Sequence, residues 1–521
     1  MCAIRVQQYT DADVIIAGAG PAGSTAAATL ADAGFSVILL DCAAFPRDKV
    51  CGDFVGPTAL LELQKLGITN LGEYQKTNVI REATLHLDGR SLINHPIPEV
   101  KGVPAHGRVI PREDLDNLIY RCAVNAGVDT RERVRITSYQ THEDHVRVSV
   151  FGAEHELTCR LLMGADGVGS IIARDVRGGK PSRLDRIIAV RAYYEGITGP
   201  ADRADLYFTS GTFPGYYWLF PTGGGGANVG VGLLLETLPS KGQHPRDLLM
   251  DLVQRDPALR ARLGNAKLKG KVNGWPLVTY NHRVPLVADR VMLLGDAAGL
   301  INPLNGEGIQ YAMLSGRWAA QTATACLRRG DLSRKALEPY AQRVAHELRY
   351  DMALAGMIVQ LIRNRSLNPI WLHALKIITT RAKVDPDYAT VTGGVLAGLV
   401  AASSVLSADI VLSTARQVAM TETLAVLGHA VRGPKHWASV IKISANATAR
   451  VIWENVSRPV EFVQWGGGVA MSAAELVGQM GTNVVRQRMR NRNTQPVSNH
   501  PQPSQAVPTV RVRSYTTRSL R

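Results

Sequence analysis

Paired cysteines are what this chain most obviously lacks. Its six cysteines (2, 42, 51, 122, 159 and 326) are scattered, with no CxxC pair and no spacing that suggests a disulfide framework or a zinc site. That pattern predicts a reducing, cytoplasmic compartment. The opening "MCAIRVQQYTDADV" has no charged region followed by an apolar core, so no secretory leader is expected, and the sequons at Asn446 and Asn455 read as chance matches. Acidic residues are absent from 486 to 521, where eight arginines sit among Pro, Gln, Ser, Asn and Thr. Such a composition cannot bury enough apolar surface to fold, so the segment reads as a disordered basic tail. It carries about half of the formal net charge of +15. The expectation is a solubilising tail, or peripheral contact with an anionic membrane on its inner face. No recognition motif accompanies the charge, so no nucleic acid is expected as a partner.

Long apolar runs are scarce as well. Residues 388 to 408 carry no charge for 21 positions, but Gly, Ser and Thr dilute them, which favours a buried or membrane-surface helix over a transmembrane one. What is present fits a folded α/β protein, with 45% apolar residues and 49 glycines in 521. That length is too great for one core and implies two or three domains.

The first forty residues read as a βαβ unit. "DVIIAGAG" is a buried strand running into a turn, "PAGSTAAATLADAG" an Ala-rich helix, and "FSVILLD" a second buried strand ending in an acid. Gly18, Gly20 and Gly23 form G-x-G-x-x-G: the first permits the tight turn, the second lets the backbone approach a pyrophosphate, and the third lets the helix pack on the sheet. The helix start then faces the phosphates. Asp41 stands at the end of the second strand, where a carboxylate accepts both hydroxyls of an adenosine ribose and disfavours a 2′-phosphate. This unit alone leaves NAD and FAD open.

Two distant stretches decide between them. "LLMGADGVGSIIAR" (161 to 174) is an apolar strand ending in Asp166-Gly167, and "RVMLLGDAAGLINPLNGEGIQYAMLSG" (290 to 316) is another, ending in Gly295-Asp296 before a turn and a long helix. These resemble the second and third fingerprints of the flavoprotein hydroxylase superfamily, whose members bind FAD. The resemblance spans 13 to 316. It implies that Asp296 holds the ribityl hydroxyls, that Asp166 and Gly167 support the fold around the pyrophosphate, and that Arg112 contacts the FAD phosphates. The unpaired N–H groups near Gly306 and Gly308 at the helix start would stabilise an anionic reduced flavin along its N1–O2 edge.

Within that superfamily the stretch "FPGYYWLFPTGGGG" resembles the P-x-x-Y-x-W-x-F-P signature of the geranylgeranyl reductase family, through Tyr216, Trp218, Phe220 and Pro221. The first proline is displaced by one place, at Pro214. "FPRDKVCGD" provides the family's Lys-x-Cys-Gly as Lys49, Cys51 and Gly52, with Asp53 where the family carries a second glycine. The resemblance implies reduction of isoprenoid double bonds by hydride from reduced flavin, with Cys51 as the candidate proton donor. No His or Glu stands out in that role. On a strand, Tyr216, Trp218 and Phe220 share one face and Tyr217 and Leu219 the other, so one face can pack a core while the other walls a pocket for an apolar or lipid substrate.

The expected fold is α/β, a Rossmann-like FAD-binding domain with an antiparallel-sheet substrate domain and a helical C-terminal region. The expected boundaries are 1–180 for the first FAD-binding part with substrate-domain insertions, 181–285 for the sheet, 286–330 for the closing FAD-binding segment, 331–485 for the helices and 486–521 for the tail. Two other functions stay open: an FAD monooxygenase acting on an apolar or aromatic small molecule, and a non-catalytic or electron-relay flavoprotein. Tyr216 stands where flavin halogenases carry a second Trp, which argues against halogenation. No second GxGxxG follows, so the electron donor is unknown from the sequence.

Overall fold

The computed structural model describes residues 10–396 apart from 239–241 and 243, a few positions between 409 and 453, and 457–493. The three fingerprint stretches become adjacent parallel strands of one sheet. Ala12–Ala17 lies between Val37–Leu40 and Leu157–Gly164, and Val291–Leu293 pairs outside the latter. Asp129–Arg131 extends the other side. The strands Ala12–Ala17 and Val37–Leu40 are almost wholly buried. Continuous apolar runs are what a parallel sheet covered on both faces requires. Ligands of such sheets bind beyond the carboxyl ends of the strands, and there the glycine turn, Asp166 and Asp296 converge.

Small side chains set how closely the covering helices approach. The helix Pro21–Asp32 starts with proline, which suits the first helical position, and buries nine of its residues. It packs on the long helix Ile309–Arg329, which ends at Gly330 in a left-handed cap. At the crossing Gly316 has no room for a Cβ, because one would strike the Ala22 carbonyl. The Tyr340 hydroxyl of the next helix, Arg334–Ile362, donates to the Leu293 carbonyl at 2.7 Å and ties that helix to the sheet.

A second, seven-stranded sheet runs in the order Lys267–Val278, Arg186–Glu195, Gly226–Leu234, Tyr216–Gly223, Arg203–Phe208, Glu82–Leu87, Arg90–Pro96. Its pairs are antiparallel except Arg203–Phe208 with Glu82–Leu87. Two of its strands therefore come from the first 180 residues, as insertions into the FAD-binding part. The glycine run closes the hairpin between Tyr216–Gly223 and Gly226–Leu234. One face of this sheet, with Tyr207, Tyr217, Leu219, Val229 and Val231, packs on Leu249, Leu252, Leu259 and Leu263 of the helices Pro245–Arg255 and Pro257–Leu263.

The C-terminal region is helical: Asn368–Ala382, Pro386–Leu396 and Pro459–Asn493 follow Arg334–Ile362. The uncharged run 388–408 begins inside the second of these, and its remainder lies outside the described residues. Among the described residues no helix is long and apolar enough to cross a membrane. Two compact units divide between Leu476 and Val477. The second comprises, among the described residues, the end of the last helix, which continues past 486 to Asn493; 494–521 lie outside them.

Gly316→Val should destabilise the protein by about 1–3 kcal/mol, since its branched side chain must push the two helices apart. Thermal melting of the purified variant checks this.

Candidate active site

The first two requirements of the glycine turn differ in kind. Gly18 has φ +96°, and a Cβ there would enter the Ala165–Asp166 backbone. Gly20 has an ordinary φ of −69°, and the nearest atom to its Cβ position is an Arg47 guanidinium nitrogen at 3.5 Å. The first turn of Pro21–Asp32 has no side-chain cap, so its N–H groups face the same open space. A cradle that a Cβ would fill, backed by uncapped N–H groups, fits a diphosphate.

The charges around it fit as well. Asp116 is fully buried and takes two bonds from Arg112, at 2.6 and 2.8 Å, and one from Arg47 at 3.0 Å. Arg47 also lies 3.8 Å from Asp41 and over the Phe45 ring. Burial opposes the Arg112 charge, but Asp116 outweighs it and holds the guanidinium firmly protonated. Asp41 sits at the strand end as expected, and it also binds the turn itself. Its two oxygens accept from the Ala19 and Ala43 N–H groups at 2.8 and 2.9 Å. Asp166 keeps a buried Oδ1 without a partner, and burial pushes its carboxyl up to about 6.

Asp296 pairs with Lys49 at 2.8 Å. Burial would raise this carboxyl, yet Lys49 and then Arg112 bring it below the ordinary value. The Gly308 Cβ position lies 3.6 Å from Asp296 Oδ1, and no side chain caps the helix Ile309–Arg329 that follows. The uncapped helix start expected from the sequence is therefore beside Asp296. Glu307, between the two glycines, accepts from Gln310 Nε2 at 2.9 Å, and burial pushes its carboxyl up to about 8.

The aromatic strand alternates as its sequence predicts. Tyr217 and Leu219 enter the core, while Tyr216, Trp218 and Phe220 share the opposite face with ring centroids 6.0 and 6.2 Å apart. The wall is longer than the sequence indicated. Phe54 adds a ring 5.4 Å beyond Phe220, and Phe208 and Phe213 continue from Tyr216 in steps of 6.3 and 6.2 Å. Phe54, Phe220, Tyr216 and Phe208 are half-buried, whereas Trp218 is only 5% exposed and donates through Nε1 to Asn228 Oδ1 at 2.9 Å. Trp218 is thus the anchored member and its neighbours present the open faces.

The Cys51–Gly52 turn lies on this wall, since a Cβ on Gly52 would sit 3.2 Å from the Phe220 ring and 3.4 Å from Trp218 Nε1. The Tyr216 hydroxyl donates to the Asn305 carbonyl at 2.6 Å, and Gly306 faces the same hydroxyl. Cys51, the wall and the glycine helix start are therefore neighbours. Burial and then the Asp53 carboxylate push the half-buried Cys51 thiol up, while Arg112, a backbone bond from Asp53 and Lys49 favour its thiolate.

Sequence reasoning marked Asp53 only as standing where the family carries a second glycine, and missed Arg47, Glu307 and the polar partners of Asp53, which are Asn228, Tyr193 and, beside them, Arg191. One signal was available: Asn228 is the lone polar residue in the otherwise apolar strand "GANVGVGLL". Among the described residues no group of His, Cys, Asp and Glu could hold a metal.

Gly20→Val should fold yet purify colourless, because its side chain enters the cradle and not the core. Gly18→Val should fail to fold, since it combines a left-handed φ with a backbone clash. Absorbance near the flavin band and circular dichroism separate the two outcomes.

A sequence profile described as an FAD binding domain matches residues 11–195. A menaquinone reductase of Mycobacterium tuberculosis is 36% identical over 325 residues, covering 60% of this chain and 76% of that protein. A digeranylgeranylglycerophospholipid reductase of Methanosarcina mazei is 30% identical over 358 residues, covering 66% and 83%. Among solved structures, a geranylgeranyl bacteriochlorophyll reductase-like protein of Thermoplasma acidophilum superposes with a TM-score of 0.60 at 20% identity, over 77% of this chain and 95% of that one. A flavin-dependent brominase gives 0.61 at 20% identity, over 80% and 99%, which shows that the fold is shared across chemistries. With its glycine cradle, paired arginines and Cys-Gly turn on an aromatic wall, the chain belongs to the geranylgeranyl reductase family of FAD-dependent oxidoreductases.

Proposed function

We propose that this oxidoreductase saturates carbon–carbon double bonds in the isoprenoid chain of a lipid or quinone. The observation that carries the reading is the aromatic wall, whose rings, half-buried apart from Trp218, follow one another at 5.4 to 6.3 Å beside the Cys51–Gly52 turn. A long apolar face of this kind suits an extended chain better than a small polar ring. Relatives named for menaquinone and for digeranylgeranylglycerophospholipid support it.

The cofactor is held, in this reading, by Gly18, Gly20 and Gly23 at the diphosphate with Arg112 and Arg47 opposite, by Asp41 at the ribose, and by Asp296 at the ribityl hydroxyls. Asp166 and Gly167 support the diphosphate from the neighbouring strand. The N–H groups at Gly306 and Gly308 offset charge on the flavin edge. Reduced FAD, when bound, supplies the hydride to one alkene carbon. Cys51 gives the proton to the other: its S–H bond breaks, a C–H bond forms, and the thiolate takes its proton back from solvent. Burial and the nearby Asp53 carboxylate keep the thiol protonated at rest, and Arg112, the Asp53 N–H and Lys49 stabilise the thiolate left behind. Tyr216 and Phe220 line the chain, over the floor provided by Trp218. The arginine-rich C-terminal segment brings the protein to anionic lipid, where each charge contributes about 1 kcal/mol at most.

Cys51→Ser should keep its flavin and lower alkene reduction by about 100-fold, consistent with loss of a general acid. Phe220→Ala should raise KM about tenfold for a geranylgeranyl lipid and much less for a short prenyl substrate, because roughly 1–2 kcal/mol of apolar contact is lost. Mass spectrometry of the product, which gains two hydrogens per bond reduced, reads both variants. Deletion of 486–521 should weaken binding to phosphatidylserine vesicles while flavin content stays constant. Equal co-sedimentation of both forms would remove the tail from the membrane contact.

A further inference from the structure

Behind the Cys51–Gly52 turn lies a fully polar frame inside an otherwise apolar region. Asp53 is 0% exposed and adopts φ +63°, a left-handed conformation that glycine takes at no steric penalty. Its Oδ2 accepts from the Tyr193 hydroxyl at 2.6 Å and from Asn228 Nδ2 at 2.8 Å, while Oδ1 has no partner. Asn228, also 0% exposed, uses the same Nδ2 to reach the Cys51 carbonyl at 2.7 Å, and its Oδ1 receives the Trp218 indole N–H at 2.9 Å. The amide orientation is unambiguous: an indole N–H only donates and a carbonyl only accepts. One buried side chain therefore joins the turn that carries the thiol to the ring that anchors the wall.

We propose that Asp53 is a positioning residue for alkene reduction: through Asn228 its carboxylate locks the Cys51–Gly52 turn against Trp218, so that thiol and wall meet the same stretch of substrate chain. The proposal rests on the roles given above to Cys51 and the wall. A merely structural residue here would be glycine or asparagine, which satisfy this backbone without burying a charge. The carboxylate instead makes the bond to Asn228 charge-assisted, and so roughly twice as strong as a neutral one.

The groups facing Asp53 are Tyr193 and Arg191 from the strand Arg186–Glu195, Asn228 from the adjacent strand, Arg112 from its helix, and Cys51 on its own turn. Burial outweighs Tyr193, Asn228 and the two arginines and pushes the carboxyl up to about 6. Because this lies above the ordinary carboxylate value, folding favours the protonated form, and stability from this group is lost as pH rises through about 6. The ionised state that locks the turn is thus held against stability, as expected of a functional group and not of a structural one.

The test uses full-length, FAD-loaded protein with a geranylgeranyl lipid as substrate. Wild-type kcat should fall below a break near pH 6. Asp53→Asn should lose that break, run at roughly a tenth of the wild-type kcat or less with KM little changed, and melt no lower than wild type at pH 8. Tyr193→Phe, which removes one donor from the carboxylate, should shift the break upward; it carries the test if the Asp53 variant does not fold. Iodoacetamide should alkylate Cys51 faster in Asp53→Asn than in wild type even when the rates are compared at the high-pH plateau where the thiol is fully ionised, which removes the direct effect of the Asp53 charge on the thiol; mass spectrometry without substrate measures both. Wild-type kcat and an unchanged alkylation rate in Asp53→Asn, or a break that Tyr193→Phe leaves in place, would overturn the proposal. Full activity in Cys51→Ser would instead overturn the role of the thiol, and the alkylation rates would still decide whether Asp53 locks the turn.

Discussion

Residues Asp48 to Asp53 are bonded to both sheets at once. On the flavin side Lys49 pairs with Asp296 at 2.8 Å. On the substrate side Arg191, itself 2% exposed and stacked on Tyr193, binds Asp48, while Tyr193 and Asn228 hold Asp53. A hydride donor and an alkene react only when held within a few tenths of an ångström of a productive geometry. Here the two surfaces that must meet belong to different sheets, and a segment of six residues sets their register. The Tyr216 bond to the Asn305 carbonyl adds a second tie between the wall and the glycine helix start.

Electrostatics around the site follow one pattern, in which burial raises carboxyls and nearby cations decide which stay ionised. Asp296 has Lys49 and Arg112 and falls below its usual value; Asp53 and Asp166 have less compensation and rise to about 6, and Glu307 to about 8. Two guanidinium groups stand where a diphosphate would lie, with Arg47 and Arg112 sharing the buried carboxylate of Asp116. Guanidinium groups thus mark one end of the region and aromatic rings the other.

Much of this was legible in the sequence because it is local. The G-x-G-x-x-G turn, Asp41 and the helix between them fall within one βαβ unit, and the Asp166 and Asp296 motifs each end their own strand. The alternation of Tyr216 to Phe220 needed only the period of a strand. The two faces separate as that period requires, with Tyr217 and Leu219 in the core and Tyr216, Trp218 and Phe220 stacked on the other side. What was not legible depends on distant pairing. Asp53 meets Tyr193 and Asn228 across separations of 140 and 175 residues, and no period or motif relates them. Phe54 and Phe208 join the wall from other segments for the same reason. The 82–96 hairpin also gave no sign that it belongs to the substrate sheet, because its membership rests on a parallel pairing with Arg203–Phe208.

Electron flow from flavin to an isoprenoid double bond is the step on which the proposed activity depends most directly. In stopped-flow absorbance under anaerobic conditions, the chemically reduced, FAD-loaded protein is mixed with a geranylgeranyl lipid and, separately, with oxygenated buffer. The lipid should reoxidise the flavin without oxygen, and the product should carry two more hydrogens per flavin oxidised. Reoxidation only by oxygen, with oxygen consumption stimulated by the lipid and no saturated product, would contradict the proposed activity.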